Sequence, residues 1–251
     1  MMAGSRLAIP QEETPPPYAP GETLTYDVTW SIFQAGEVVA KVTQLEGESQ
    51  GAYEVITTAR TTGFVDLIFS VRNEFRSTFD PKTVCSRRIW KWINEGGRHR
   101  ETHIVFDPLR RLAILDERDP TKPHAASRHD ENEIPECVAD VVSAFYVVRR
   151  QPLRVGEPLT VPINDGAKTY DVAIDVQERE TLQTPLGPRA AIRVEPKVFG
   201  GIYKRKGTMQ IWFSDDSQRL PLRIKASVSV GSITGNLKSV ITAPAAESQS
   251  Q

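Results

Sequence analysis

The sequence predicts an all-β fold: two homologous antiparallel β-meander halves forming one curved sheet or open barrel, with a single bridging helix at about 137–150. Three observations predict it. First, the chain echoes itself after about 135 residues. Gly21-Glu22-Thr23-Leu24-Thr25 returns as Gly156-Glu157-Pro158-Leu159-Thr160, and Phe79-Asp80-Pro81 before Arg88-Ile89 aligns with Phe213-Ser214-Asp215 before Arg223-Ile224. An echo this long is a duplicated half-domain, beyond the 20 to 50 residues of a solenoid unit. Second, apolar side chains alternate with polar ones, the signature of strands wet on one face and buried on the other. Third, 18 prolines and 16 glycines among many Val, Ile and Thr favour short strands and frequent turns.

Taken in order, residues 1–20 are Pro-rich and polar, lack the basic start and apolar core of a signal peptide, and read as a disordered segment. Alternation then starts at Leu24, Tyr26, Val28 and Trp30. It recurs at Val38-Ala40-Val42, Tyr53-Val55, Phe75-Ser77-Phe79, Trp90-Trp92, Ile104-Phe106 and Leu112-Ile114, a meander of seven or eight strands. Turn residues fall between them at Glu46-Gly47-Glu48, Asp80-Pro81, Glu95-Gly96-Gly97 and Asp107-Pro108. From Asp116 to Pro135 the chain is polar and reads as a long exposed loop. Cys137–Arg150 then carries Val138, Val141, Phe145 and Val148 at helical spacing, with Arg149 and Arg150 suited to a helix C-terminus. The second half repeats the alternation at Leu159-Val161-Ile163, Tyr170 to Val176, Ala190-Ile192-Val194, Met209-Ile211-Phe213 and Leu222 to Val230, and residues 241–251 read as a disordered tail. The expected organisation is one β domain over 21–240, made of quasi-repeats 21–115 and 156–240 joined by a loop and helix over 116–155. Neither meander can bury its apolar face alone, so the two complete one core.

Composition excludes several classes. The 31 basic and 32 acidic side chains leave a net charge of -1, which offers no field to attract nucleic acid. No apolar run approaches the 18 to 20 residues of a membrane-spanning helix. Phosphate-binding loops, dinucleotide fingerprints and H-E-x-x-H motifs are absent, so the sequence calls for no cofactor.

The chain resembles the family called domain of unknown function 3108, whose members are mostly exported bacterial proteins. The resemblance rests on Gly21-Glu22 with Leu24 and Tyr26-Asp27-Val28, on Ala35-Gly36, and on Asp140 with Ser143-Ala144-Phe145-Tyr146 and Arg149. It extends to Pro185, Gly187 and Ile211-Trp212-Phe213-Ser214-Asp215-Asp216 leading to Arg219, Pro221 and Leu222. It implies a largely β protein of the periplasm or cell envelope, with no assigned activity and no catalytic residue to carry over.

The candidate site residues follow, each with its competing reading. Phe64, Leu67 and Phe69, with Phe199 and Tyr203 in the second half, belong to two apolar stretches that would frame the mouth of an apolar cavity or simply pack in the core. Tyr146 and Arg149 share a helix face that would line a ligand pocket, Arg149 gripping an anion, or would fix the helix to the sheet together with Asp140. His99 and His103 flank Glu101 on one strand face and, with His124 and His129, would make a metal site; the competing reading is a wet strand face. Cys85 and Cys137 would form a disulfide in an oxidising compartment and stay reduced elsewhere. The leading functional expectation is a non-enzymatic envelope protein holding a lipid or other apolar molecule in the concavity of its sheet. A scaffold engaging an envelope protein partner and a metal-dependent hydrolase are the alternatives. The unrepeated stretch from His99 to Arg150, or the concavity it covers, is where a specific function belongs.

Overall fold

The computed structural model describes residues 16–47, 51–197, 208–227 and 231–242. The elements run β1 (Thr23–Trp30), β2 (Phe33–Leu45), β3 (Ala52–Thr61), α1 (Gly63–Ile68), β4 (Arg72–Phe79), β5 (Ser86–Glu95), β6 (Arg98–Asp107), β7 (Leu112–Arg118) and β8 (Arg128–Glu133). After them come α2 (Ser143–Arg149), β9 (Leu159–Asn164), β10 (Thr169–Thr184), β11 (Gly187–Lys197), β12 (Met209–Ser214), β13 (Pro221–Ser227) and β14 (Ser232–Ile241). All fourteen strands form one antiparallel sheet in the order β8-β7-β6-β5-β4-β3-β2-β1-β14-β13-β12-β11-β10-β9. Each meander pairs with itself in sequence, and the first strand of one joins the last strand of the other, with Leu24 opposite Val240 and Trp30 opposite Ile233.

The sheet curls until its edges face each other without a ladder between β8 and β9. Asn164 donates through Nδ2 to Asn132 Oδ1 at 2.7 Å, and Asn132 donates through Nδ2 to the Gly166 carbonyl at 2.8 Å. Gly166 sits at φ 103, and a Cβ there would lie 2.4 Å from Leu115 Cδ1, so both the conformation and the close approach require glycine. Eight of the left-handed residues fall in pairs 135 positions apart: Gly21 and Gly156, Ser31 and Gly166, Val84 and Arg219, Gly96 and Gly231. Asp80 caps one of the paired turns by accepting from Lys82 and Thr83 N–H, and Asp216 caps its counterpart by accepting from Gln218 and Arg219 N–H.

The segment from Ile134 to Leu153 threads the interior. Ile134 and Val138 pack with Ile89, Ile104 and Leu115 of β5–β7, whereas Ala139, Ala144, Val148 and Leu153 pack with Val161, Ile174, Ile192 and Phe213 of β9–β12. Four departures from the sequence reading are local. The helix occupies only Ser143–Arg149, because the preceding backbone has better partners. Cys137 is bonded to Cys85 with Cα atoms 5.0 Å apart, Ser86 N–H donates to the Val138 carbonyl, and Ala139 bridges to β9 through Pro162 and Asn164. Within the expected long loop, Arg128–Glu133 is strand β8, whose pairing to β7 sets His129 beside Asp116 at 2.8 Å. The apolar stretch after Thr62 forms the short helix α1. At the N-terminus, Tyr18 is buried against Tyr146, Phe79 and Tyr53, so the ordered domain starts earlier than expected. Residues 1–15 and 243–251, the bulk of the expected tails, lie outside the described residues.

Candidate functional site

The inner face of β1, β2, β3, β13 and β14 carries an apolar trough. Its floor follows strand alternation: Leu24, Tyr26 and Val28 of β1, Val38 and Ala40 of β2, Val55 of β3, Ile224 and Ala226 of β13, Ile233 and Gly235 of β14. Small side chains at Ala40, Ala226 and Gly235 leave space where larger ones would close the core. The inner part, about 270 Å³, ends against Val141, Val142, Phe145, Tyr146 and Arg149. The outer part, about 600 Å³, is bounded by Val65, Ile68 and Phe69 of the α1 region and by Trp30, with Glu37, Arg60, Thr61 and Glu95 as its polar groups. Val28, Val38 and Ile233 line both parts, so they adjoin.

The α2 end is held by a buried ion pair. Arg149 donates through Nη1 to Glu22 Oε1 at 2.6 Å and through Nη2 to Glu22 Oε2 at 2.8 Å and to the Pro17 carbonyl at 2.8 Å; its Nε reaches the Gln218 carbonyl at 3.3 Å. Its guanidinium also lies over the rings of Tyr18 and Tyr146. Burial opposes the Arg149 charge, yet the Glu22 carboxylate outweighs it and holds the pKa above the usual arginine range. Burial pushes the Tyr18 phenol up to about 12 and raises those of Tyr26 and Tyr146 as well. Tyr26 donates to the Pro221 carbonyl at 2.9 Å, which ties β1 to β13 under the trough.

Asp140 anchors the same wall from the other side. Its carboxylate accepts from Ser77 and Ser86 hydroxyls at 2.6 and 2.7 Å and from the N–H groups of Val142 and Ser143. Asp140 and Arg149 therefore use different partners: the first sets the chain entering α2, the second its last turn.

Of the residues singled out in the sequence, Tyr146 and Arg149 stand in the inner wall and Phe69 in the outer one. Phe64 and Leu67 point outward from α1, 66% and 86% exposed. Phe199 and Tyr203 lie outside the described residues. His99 faces Asn94 across the β5–β6 ladder, and His103 bonds Glu101 at 3.1 Å. Glu101 also accepts from Arg118 at 2.7 Å, a cation where a metal would have to sit. Among the described residues no group of three His, Cys, Asp or Glu side chains could hold a metal ion. Sequence reasoning missed the walls from β13 and β14. Ile224 and Ala226 were visible as strand alternation, but only the β1–β14 pairing brings them across from Val38.

No helix among the described residues is long and apolar enough to cross a membrane. A family model described as a protein of unknown function, DUF3108, matches residues 25–238. The fold is similar to a β-barrel-like protein of the DUF1849 family from Brucella abortus, with a TM-score of 0.61 at 8% identity, covering 90% of this chain and 99% of that one. A putative exported protein with a YmcC-like fold from Bacteroides fragilis aligns with a TM-score of 0.38 at 9% identity, covering 90% and 98%. No functionally curated protein matches.

Proposed function

Since the chain belongs to DUF3108, a family of unknown function, we propose its role from geometry: a non-enzymatic exported protein that holds one apolar or amphiphilic molecule, such as a lipid chain, in the trough of its sheet. The observation that carries this reading is the trough itself. Its outer part of about 600 Å³ falls within the range of small-molecule sites, and its lining is apolar with a few polar groups at one end. The Arg60–Glu37 pair, at 2.8 Å, would face the head of an amphiphile, whereas Arg149 is consumed by Glu22 and offers nothing to an anion. The Cys85–Cys137 bond fits an oxidising compartment. The paired left-handed turns support descent of both meanders from one duplicated unit.

The test is mass spectrometry of natively purified protein, together with titration of a fluorescent fatty acid. We expect one bound apolar molecule per chain. Ala226→Trp and Ala40→Trp, which fill the trough floor, should lower probe affinity at least tenfold. Protein that is repeatedly free of apolar molecules and blind to the probe would sink the reading.

A further inference from the structure

The exposed apolar side chains are not scattered over the molecule. Ile32 and Phe33 of the β1–β2 hairpin stand at the same end of the sheet as Phe64, Leu67, Ile68 and Phe69 of the α1 region, with exposures from 51% to 87%. Among the described residues Val105, Leu109, Val155, Ile233 and Ile241 are the other large apolar side chains that stand exposed, and of these Ile233 lines the outer part of the trough with Ile68 and Phe69. Isolated exposed apolar residues need no explanation, but a contiguous group does. This group adjoins the outer part of the trough: Ile68 and Phe69 are at once 61% and 51% exposed and part of the outer wall, as is Ile233 at 43%. A molecule leaving the trough on this side meets these apolar side chains beside the polar groups of Glu37, Arg60, Thr61 and Glu95.

Two ion pairs at this rim are internally matched, and Glu95 accepts from Asn73 Nδ2 at 2.7 Å. Asp66 of α1 receives two hydrogen bonds from Arg72, both at 2.8 Å, and another from the Thr61 hydroxyl at 2.6 Å. Arg60 is matched by Glu37. The end therefore presents side chains suited to hydrocarbon, carried on a hairpin tip and one helical turn, without an unpaired charge in these pairs to steer a protein or nucleic-acid partner. That combination matches the apolar face of an interfacial membrane anchor.

We propose that the α1 end is a membrane-docking lip: Phe64, Leu67, Ile32 and Phe33 enter the outer part of a lipid bilayer, and the trough mouth opens onto the acyl chains. The inference rests on the apolar-ligand reading above and adds the surface from which the ligand is collected or to which it is delivered. Docking relies on apolar contact, so neutral lipid suffices.

The experiment uses the full chain and two probes kept apart: vesicles of phosphatidylcholine alone or with phosphatidylglycerol, and a fluorescent fatty acid in vesicle-free solution. Wild type should float with phosphatidylcholine vesicles, and anionic lipid should change this little. Phe64→Asp and Leu67→Asp, both at exposed positions, should each lower partitioning about tenfold or more, as expected for withdrawing one large apolar side chain from lipid, while fatty-acid affinity in solution stays within twofold. Leu67→Trp should give a blue-shifted difference spectrum on vesicles that brominated lipid quenches, a readout independent of whether the aspartate variants fold. Wild type that takes the fatty acid but ignores vesicles would overturn the lip and leave the ligand reading intact. Vesicle binding without fatty-acid binding would do the reverse. Binding that needs anionic lipid and vanishes in salt, or self-association abolished by the same aspartates, would assign the rim to another occupant and overturn the proposal.

Discussion

Replacing Glu22 by Gln should be among the most damaging single changes in the molecule. Arg149 is 1% exposed and Glu22 3%, so neither charge has access to water. The bidentate pair at 2.6 and 2.8 Å compensates the cost of burial. Gln keeps one acceptor but removes the negative charge, leaving a buried cation; breaking such a pair costs about 3–5 kcal/mol. Coulomb attraction at an effective dielectric near 20 gives roughly 4 kcal/mol at about 4 Å, the same order. Set against total stabilities of about 5–15 kcal/mol, that is a large fraction. Arg149→Met should cost a similar amount by stranding the carboxylate. The double variant Glu22→Leu with Arg149→Met should cost far less than the Glu22→Leu and Arg149→Met singles combined, since apolar replacements of both ions are often neutral. Denaturant unfolding with a constant slope gives each free energy, and the double-mutant cycle isolates the coupling. If Glu22→Gln costs under about 1 kcal/mol, or the singles add in the double, the reasoning about uncompensated charge fails.

Reducing the Cys85–Cys137 bond, or replacing both cysteines by Ser, should destabilise the fold. The sequence separation of 52 sets an entropic ceiling of roughly 4 kcal/mol; unchanged denaturation midpoints with and without reductant would contradict it. Gly36→Ala should cost roughly 1–3 kcal/mol by overpacking, since the added Cβ would lie 2.0 Å from the Arg60 carbonyl oxygen and the β2–β3 ladder beside the trough must shift. Thermal unfolding as in wild type would show that the strands separate freely. Hydrogen bonds from Arg72, then Thr61, hold the Asp66 carboxyl below its ordinary range, even though the side chain is partly exposed. With its pKa depressed on folding, Asp66 favours the seated α1 above the ordinary Asp range, and the contribution fades as pH falls through the folded value. Carboxyl NMR should show Asp66 titrating below about 4, and an ordinary titration would show that the Arg72 contact is not held in solution.

The strands were legible wherever one face is wet: Leu24 to Trp30 and Ile211 to Phe213 announce themselves by alternation. What escaped shares one cause, namely partners that sequence spacing does not show. Strand β8, Arg-His-Asp-Glu-Asn-Glu, is an edge strand without an apolar face: His129 and Arg128 stand opposite Asp116 and Glu117, and its other four residues stand opposite Leu112 to Leu115. Cys137–Val142 carries apolar residues at helical spacing, yet the disulfide, the Asp140 carboxylate and the β9 backbone claim its polar groups first. The walls of the trough were the least legible part. Ala40, Ala226 and Gly235 are ordinary small residues until β1 and β14 pair and set them around one space.

That space has a structural origin. Among the described residues the two meanders supply fourteen strands, and the linker Ile134 to Leu153, with Tyr18 beside it, supplies the interior filling. The linker's side chains enter the clusters over β5–β7 and over β9–β12, and Tyr146 enters the one over β2–β4. In the cluster built on Leu24, Tyr26, Leu222 and Leu237, where the meanders join, no linker residue takes part. A sheet of this length curled around a single short plug must leave part of its inner face uncovered, and here it is the junction farthest along the sheet from both edges. Large side chains there would have closed the gap at a gain in packing. The residues found instead are alanines and a glycine, so the sequence keeps open at the junction the volume that it fills on either side.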